Sequence, residues 1–261
     1  MSTKGFAVVT GASSGIGYQL ARIAVEDGYD LLICADEPQI EEAAEKLRRL
    51  GGIIEAVQTD LATADGMTAL WDRIGEREPD LFFANAGRAL GRAFHEQDWD
   101  DVEALIDLNI FQTTNTLHRV GQRMARRGQG RILVTGSIGG YVPGPYDAVY
   151  DATKAYINSL CAALGDEWEG NGVTLTCLMP GPVETKIFDR NDLGDTPIGR
   201  SDNKDDPTQV ARAGYDAMMR GDRAKVPGVA WTVSKMLSGI VPGSIKAMLH
   251  RSQVEPDGKS K

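Results

Sequence analysis

Tyr150-Asp151-Ala152-Thr153-Lys154 sets a phenol and an ammonium four residues apart, at the head of an apolar-periodic stretch running through Ile157, Leu160, Cys161 and Leu164. On a helix such residues share one face, about 6 Å of rise apart. A phenol with a pKa near about 10 is ionised in only about one part per thousand at neutral pH. Closing that gap takes about 4 kcal/mol, roughly what one ammonium at about 4 Å supplies at an effective dielectric near 20. Lys154 could therefore make Tyr150 a general acid or base. Alone, the pair is also common on solvated helix faces. Ser137 adds weight: it ends the apolar run Ile132 to Gly136, precedes Gly139-Gly140, and lies thirteen residues before Tyr150. A hydroxyl there could hold a substrate oxygen against the phenol.

A second constellation can hold phosphate. Thr10-Gly11-Ala12-Ser13-Ser14-Gly15-Ile16-Gly17 follows one apolar run and opens a helical one. Glycines let backbone approach a pyrophosphate closely, and a helix N-terminus offers free N–H groups and partial positive charge. The spacing is GxxxGxG, which differs from the GxGxxG dinucleotide fingerprint. Asp36 follows Gly17 by nineteen residues at the end of the next run, where a carboxylate can accept from a ribose diol. It would repel a 2′-phosphate by roughly 3 kcal/mol per unit charge at about 5 Å. Glu37 adds to that, and no Arg or Lys stands beside the pair in sequence. The pattern favours NAD over NADP.

Positioning these groups requires strands buried on both faces. Phe6–Thr10, Leu31–Ala35, Ile53–Val57, Leu81–Ala84, Ile132–Thr135 and Val173–Leu178 are short apolar runs without strict alternation. Between them, Gln39 to Leu50 is periodic and stopped by Gly51-Gly52, and Asp98 to Arg127 repeats apolar positions at helical spacing. Pro207 to Gly221 reads as a further helix. Alternation of strand and helix predicts right-handed βαβ units: an α/β fold with a Rossmann-like doubly wound parallel sheet in three α/β/α layers. One domain over 1–251 is expected. The polar stretch 189–207 is expected to be a substrate lid, 229–251 a basic amphipathic segment, and 252–261 a flexible tail.

Composition narrows the class. The chain has 261 residues, 42% hydrophobic and 25% charged, with net charge −9, which argues against disorder and against a nucleic-acid surface. Three widely spaced cysteines (Cys34, Cys161, Cys177) and no CxxC suit a reducing, cytoplasmic setting. The three histidines stand at no metal-ligand spacing, so no metal is expected. No apolar run approaches the length of a membrane span. The basic stripe near the C-terminus could meet an anionic membrane, but packing on the chain itself or a subunit is the favoured reading.

Together these residues resemble the short-chain dehydrogenase/reductase family, in its single-domain branch, from about Phe6 to Val226. TGASSGIG matches the family's cofactor loop, with Gly11, Ser13, Ser14, Gly15, Ile16 and Gly17 as binding positions. Asp60-Leu61 matches an Asp-Leu near the adenine, and Asn85-Ala86-Gly87 the NAG motif that steadies the sheet. Asn109 matches the helix asparagine that holds a proton-relay water. Pro180-Gly181-Pro182-Val183-Glu184-Thr185 matches the PG motif, whose Pro180, Gly181, Val183 and Thr185 line the nicotinamide. Read without the resemblance, Asp60 and Asn85 could be turn residues, Asn109 a break in a helix face and Thr185 a cap.

The resemblance implies hydride transfer between nicotinamide and a secondary alcohol or ketone. Tyr150 moves the proton, Lys154 holds the nicotinamide ribose and lowers the phenol pKa, Ser137 polarises the carbonyl, and Asn109 links Lys154 to solvent. It also implies a homodimer or homotetramer. An NADPH-dependent 3-oxoacyl reductase and a non-catalytic nicotinamide-binding scaffold are the alternatives. Arg88, Leu90, Tyr141, Tyr146, Phe188 and Leu193 are expected around a partly apolar small-molecule pocket, with Arg88 either meeting a substrate carboxylate or solvated.

Overall fold

In a computed structural model of the chain, the structure describes residues 3–185, 196, 197, 199–201, 204–228, 251 and 255. Seven strands form one sheet in the order β3-β2-β1-β4-β5-β6-β7. They are β1 (Gly5–Thr10), β2 (Tyr29–Ala35), β3 (Ile54–Gln58), β4 (Leu81–Ala84), β5 (Gly130–Thr135), β6 (Val173–Leu178) and β7 (Ala224–Lys225). Every neighbouring pair is parallel. The order reverses between β1 and β4, so the carboxyl ends of these two strands open a crevice.

Side-chain alternation sends successive residues of each strand to opposite faces, and both faces are covered. Ala7, Val9, Leu31, Ile33, Leu81 and Phe83 pack with α1 (Gly15–Glu26), α2 (Gln39–Arg48) and α7 (Pro207–Arg220). Val8, Leu32, Phe82, Ile132 and Val134 pack on the other side with α3 (Ala64–Ile74), α5 (Thr113–Arg127) and α6 (Ala148–Glu167). This two-sided burial is why the strands read as unbroken apolar runs. The adjacent Phe82 and Phe83 point to opposite layers, Phe82 stacking on Trp71 and Phe83 on Tyr215.

Three details depart from the sequence reading. Helix α2 ends at Arg48, before Gly51-Gly52, because residues 49–52 form a wider turn. The stretch 98–127 is not one helix: α4 (Trp99–Ile106) passes through a π-helical turn, Asp107–Gln112, into α5. Such turns concentrate at functional sites. Here it leaves Asn109 at 2% exposure while Phe111 is 62% exposed. Helix α3 and strand β7 carry signals too short or too mixed to have been singled out.

Much of the expected lid (189–207) and nearly all of 229–251 and 252–261 lie outside the described residues, as do Phe188 and Leu193. Of the described positions, Thr196 is fully buried and Asp205 bridges to Val183. Glu255 accepts from the Tyr146 hydroxyl at 2.8 Å, and Arg251 lies over the Tyr146 ring.

Candidate active site

The glycine run forms the loop from β1 into α1. Gly11 and Gly15 take left-handed φ values of 66° and 57°. A Cβ on Gly17 would sit 2.1 Å from the Gly11 carbonyl oxygen, so only glycine lets the first turn of α1 close on the loop. Ser14 occupies the cap position of α1 without a side-chain cap bond, leaving the first-turn N–H groups to another acceptor. Ile16 packs against the core below, and the Ser13 hydroxyl donates to Glu37 at 2.8 Å.

Asn85 ties this loop to the sheet. Its amide donates to the carbonyls of Thr10 and Gly11, both at 3.2 Å, and its oxygen accepts from Thr135. The N–H groups of Asn85 and Ala86 both donate to the Thr10 hydroxyl. The ends of β1, β4 and β5 are thus fixed around the crevice. Thr185 lies against Gly15 across the loop, and Pro180 accepts from the Ile138 N–H at 3.1 Å, with Gly181 beside Ile138. Val183 is buried and Leu61 is in the core.

At the far end of the crevice, Asp36 and Asp60 converge on Arg88. Arg88 Nη2 donates to Asp36 at 3.3 Å and to Asp60 at 3.0 Å. No cation adjoins Asp36 in sequence, but the fold brings Arg88 to it from 52 residues away. Arg88 was also expected at the substrate pocket, but its guanidinium points to these carboxylates. All three side chains are a third to a half exposed, so each pair contributes only about 0–1 kcal/mol.

At the other end, Ser137 begins a short 3-10 turn, Ile138–Tyr141, its hydroxyl accepting from the Gly139 N–H at 3.0 Å. A Cβ on Gly140 would lie 2.6 Å from the backbone of Lys154 and Ala155. That close approach seats the turn on α6 and sets Ser137 beside the Tyr150 phenol. The Lys154 ammonium lies 5.6 Å from the centre of the Tyr150 ring and donates to the Thr135 carbonyl at 2.8 Å. Asn109 contacts Arg88 and donates to Thr153 at 3.0 Å. Gly87 faces both Asn109 and Lys154.

The electrostatics differ from the simple Tyr–Lys expectation. Burial, then the Asp147 carboxylate, push the Tyr150 phenol above its ordinary value, with Ser137 pulling the other way. Burial lowers Lys154 to about 8. Sequence reasoning missed two acids here, Asp147 and Asp151, which are 6% and 4% exposed. Burial pushes Asp151 up to about 7, and burial with the Asp151 charge raises Asp147 well above the carboxylate range. Their signal was the spacing around Tyr150, three before and one after, at the start of an apolar helix.

The comparisons with known proteins follow the same outline. The model of the short chain dehydrogenase family matches residues 5–194. This chain belongs to the short-chain dehydrogenase family. An uncharacterised oxidoreductase of Staphylococcus saprophyticus is 31% identical, over 84% of this chain and 93% of the relative. Human 17-beta-hydroxysteroid dehydrogenase type 1 is 33% identical over 70% of this chain, which spans 58% of that longer protein. Among solved structures, a short-chain dehydrogenase from Sphingobium yanoikuyae in complex with NADPH superposes with a TM-score of 0.80 at 27% identity, covering 91% of this chain and 96% of that one. A family member from Burkholderia phymatum in complex with NAD shares the fold, with a TM-score of 0.76 at 23% identity, covering 89% and 92%.

As a short-chain dehydrogenase the chain is an oxidoreductase that uses a nicotinamide cofactor. The residues fit such a dinucleotide: a glycine cradle that a Cβ would fill, uncapped N–H groups at a helix start, and carboxylates at the crevice's far end. Among the described residues no group of three or more His, Cys, Asp or Glu could hold a metal ion. No helix among them is long and apolar enough to cross a membrane.

Proposed function

We propose that this enzyme transfers hydride between NAD and a secondary alcohol or ketone, with Tyr150 as the proton-transfer group. The observation that carries the reading is the convergence of Ser137, Tyr150 and Lys154 at one end of a crevice whose other end carries Asp36. When bound, the dinucleotide supplies the hydride donor or acceptor. Gly11 to Gly17 hold its pyrophosphate, and Asp36 accepts from the adenosine ribose. Asp60 and Leu61 flank the adenine, Ala86 and Gly87 floor the crevice, and Pro180, Gly181, Val183 and Thr185 wall the nicotinamide side.

Ser137 orients the substrate oxygen against Tyr150. A phenol raised by burial keeps its proton at neutral pH, the form that delivers it to a carbonyl oxygen. Lys154, with its ammonium 5.6 Å from the ring centre, stabilises the phenolate left behind. Asn109, bound to Thr153 beside Lys154, positions the relay toward solvent. Phe111 and Tyr156 are exposed, on segments joined by the Thr114–Tyr156 contact at 3.1 Å, and offer a face to a second copy in a homodimer or homotetramer. The buried, free Cys34, Cys161 and Cys177 suit a reducing cytoplasm.

The test is a fluorescence titration with NADH and NADPH beside Asp36→Ala, then a screen of secondary alcohols and ketones with Tyr150→Phe as control. Tighter NADH binding, with NADPH binding gained in Asp36→Ala, supports the reading. Tighter NADPH binding in the wild type sinks the NAD assignment in favour of NADPH-dependent ketone reduction. Binding without turnover of any alcohol or ketone would favour the scaffold.

A further inference from the structure

We propose that Arg88 is a cofactor-selectivity residue: by sitting on Asp36 it weakens the preference for NAD and admits the 2′-phosphate of NADP. The inference rests on the reading that Asp36 receives the adenosine ribose.

A lone carboxylate at the end of β2 selects against NADP by charge. Here that carboxylate is not alone, because among the described residues Arg88 stands within ion-pair distance of Asp36 at 3.3 Å. Its position is built rather than incidental. Both backbone groups of Arg88 are clamped by the Asn109 side chain, the N–H at 3.0 Å and the carbonyl at 2.9 Å. Its other partner, Asp60, is itself held, since Asp60 Oδ1 accepts from the Ala62 N–H at 2.9 Å while Oδ2 takes Arg88.

Two consequences follow from the chemistry of the groups. A ribose diol must compete with Arg88 for the acceptor oxygens of Asp36, which lowers affinity for NAD. A 2′-phosphate arriving at the same carboxylate comes within reach of a guanidinium whose Nη2 makes both bonds. Among the described residues Nη1 and Nε have no partner and are left to a further acceptor. A planar guanidinium fork suits phosphate geometry. Both effects move the choice in one direction.

The measurement is the ratio Kd(NADPH)/Kd(NADH) by fluorescence titration, in wild type, Arg88→Leu, Arg88→Gln and Arg88→Lys, with folding followed by circular dichroism. The ratio cancels any general loosening of the site. It should rise about tenfold in the Leu and Gln variants and by less in the Lys variant, which keeps the charge but not the fork. Added salt should lower the ratio more steeply in the Leu and Gln variants than in the wild type, because without the guanidinium the repulsion by Asp36 is unopposed and salt screens it. A ratio within about twofold of wild type in folded Leu or Gln variants overturns the inference while leaving the dinucleotide reading intact. So does a salt dependence of the ratio that is as steep in the wild type as in the folded Leu and Gln variants. A wild type that binds neither nucleotide overturns the dinucleotide reading, and this inference with it.

Discussion

The side-chain amide of Asn109 holds both backbone groups of Arg88, accepting from its N–H at 3.0 Å and donating to its carbonyl at 2.9 Å. Its second donor bond goes to Thr153, the neighbour of Lys154. One buried residue thus joins the carboxylate end of the crevice to the proton-transfer end. Asn109 sits on the π-helical turn and is buried there.

Asn109→Leu removes these bonds with little change of volume and strands part-buried polar groups. The expected cost is about 1–3 kcal/mol, or roughly 2–4 °C in Tm per kcal/mol for a chain of this size. Thermal unfolding measures it directly. The ratio Kd(NADPH)/Kd(NADH) should rise as well, because the backbone that holds Arg88 against Asp36 loses its anchor. An unchanged Tm would show that the clamp carries no stability.

Gly17→Ala addresses the phosphate loop. The added Cβ meets backbone, the Gly11 carbonyl oxygen at 2.1 Å, so no side-chain rotation relieves it. Overpacking of this kind costs about 1–3 kcal/mol, and the displaced loop should bind NADH at least tenfold more weakly. Isothermal titration of the folded variant would check this. Unaltered affinity would place the dinucleotide elsewhere.

The Tyr150–Lys154 spacing and the glycine loop were legible because they are local: Tyr150 and Lys154 sit on one helix, and the glycine run adjoins both its strand and its helix. The unbroken apolar strands were legible for the same reason, since burial on both faces leaves a pattern within six residues. What crossed the fold was not. Arg88 reaches Asp36 over 52 residues, so the sequence neighbourhood of Asp36 suggests an acidic patch where the structure has an ion pair. Asp147 and Asp151 read as ordinary polar residues, because their burial is imposed by the turn seated on α6. The π-helical turn was hidden too, since one extra residue per turn barely disturbs the apolar periodicity on either side.

Tyr150→Phe deletes the phenolic hydroxyl and little else. Loss of a general acid costs about 10²–10⁴-fold in turnover, so kcat should drop by that amount while NADH binding stays within about twofold. Stopped-flow kinetics beside a binding titration separates the two. A parallel loss of binding would assign Tyr150 to the cofactor pocket instead of the proton transfer.

Asp151→Asn tests the buried acid beside that phenol. Asp151 is pushed up to about 7 by burial, against about 3.9 in an unfolded chain. A carboxyl raised on folding contributes stability that is complete below the unfolded value and is lost as pH rises through the folded one. The window therefore runs from about pH 4 to about pH 7, and the whole effect is on the order of 4 kcal/mol at most. Other acids act in the opposite sense: Glu55, whose burial is outweighed by its bonds to Arg77 and Arg73, is held below the carboxylate range and loses stability as pH falls. The informative quantity is thus the difference in Tm between Asp151→Asn and wild type, in which such contributions cancel. It should grow from its value near pH 4 to a more positive one above pH 7, because the amide cannot ionise. A difference that stays flat across the range would mean that Asp151 titrates as an ordinary surface carboxylate.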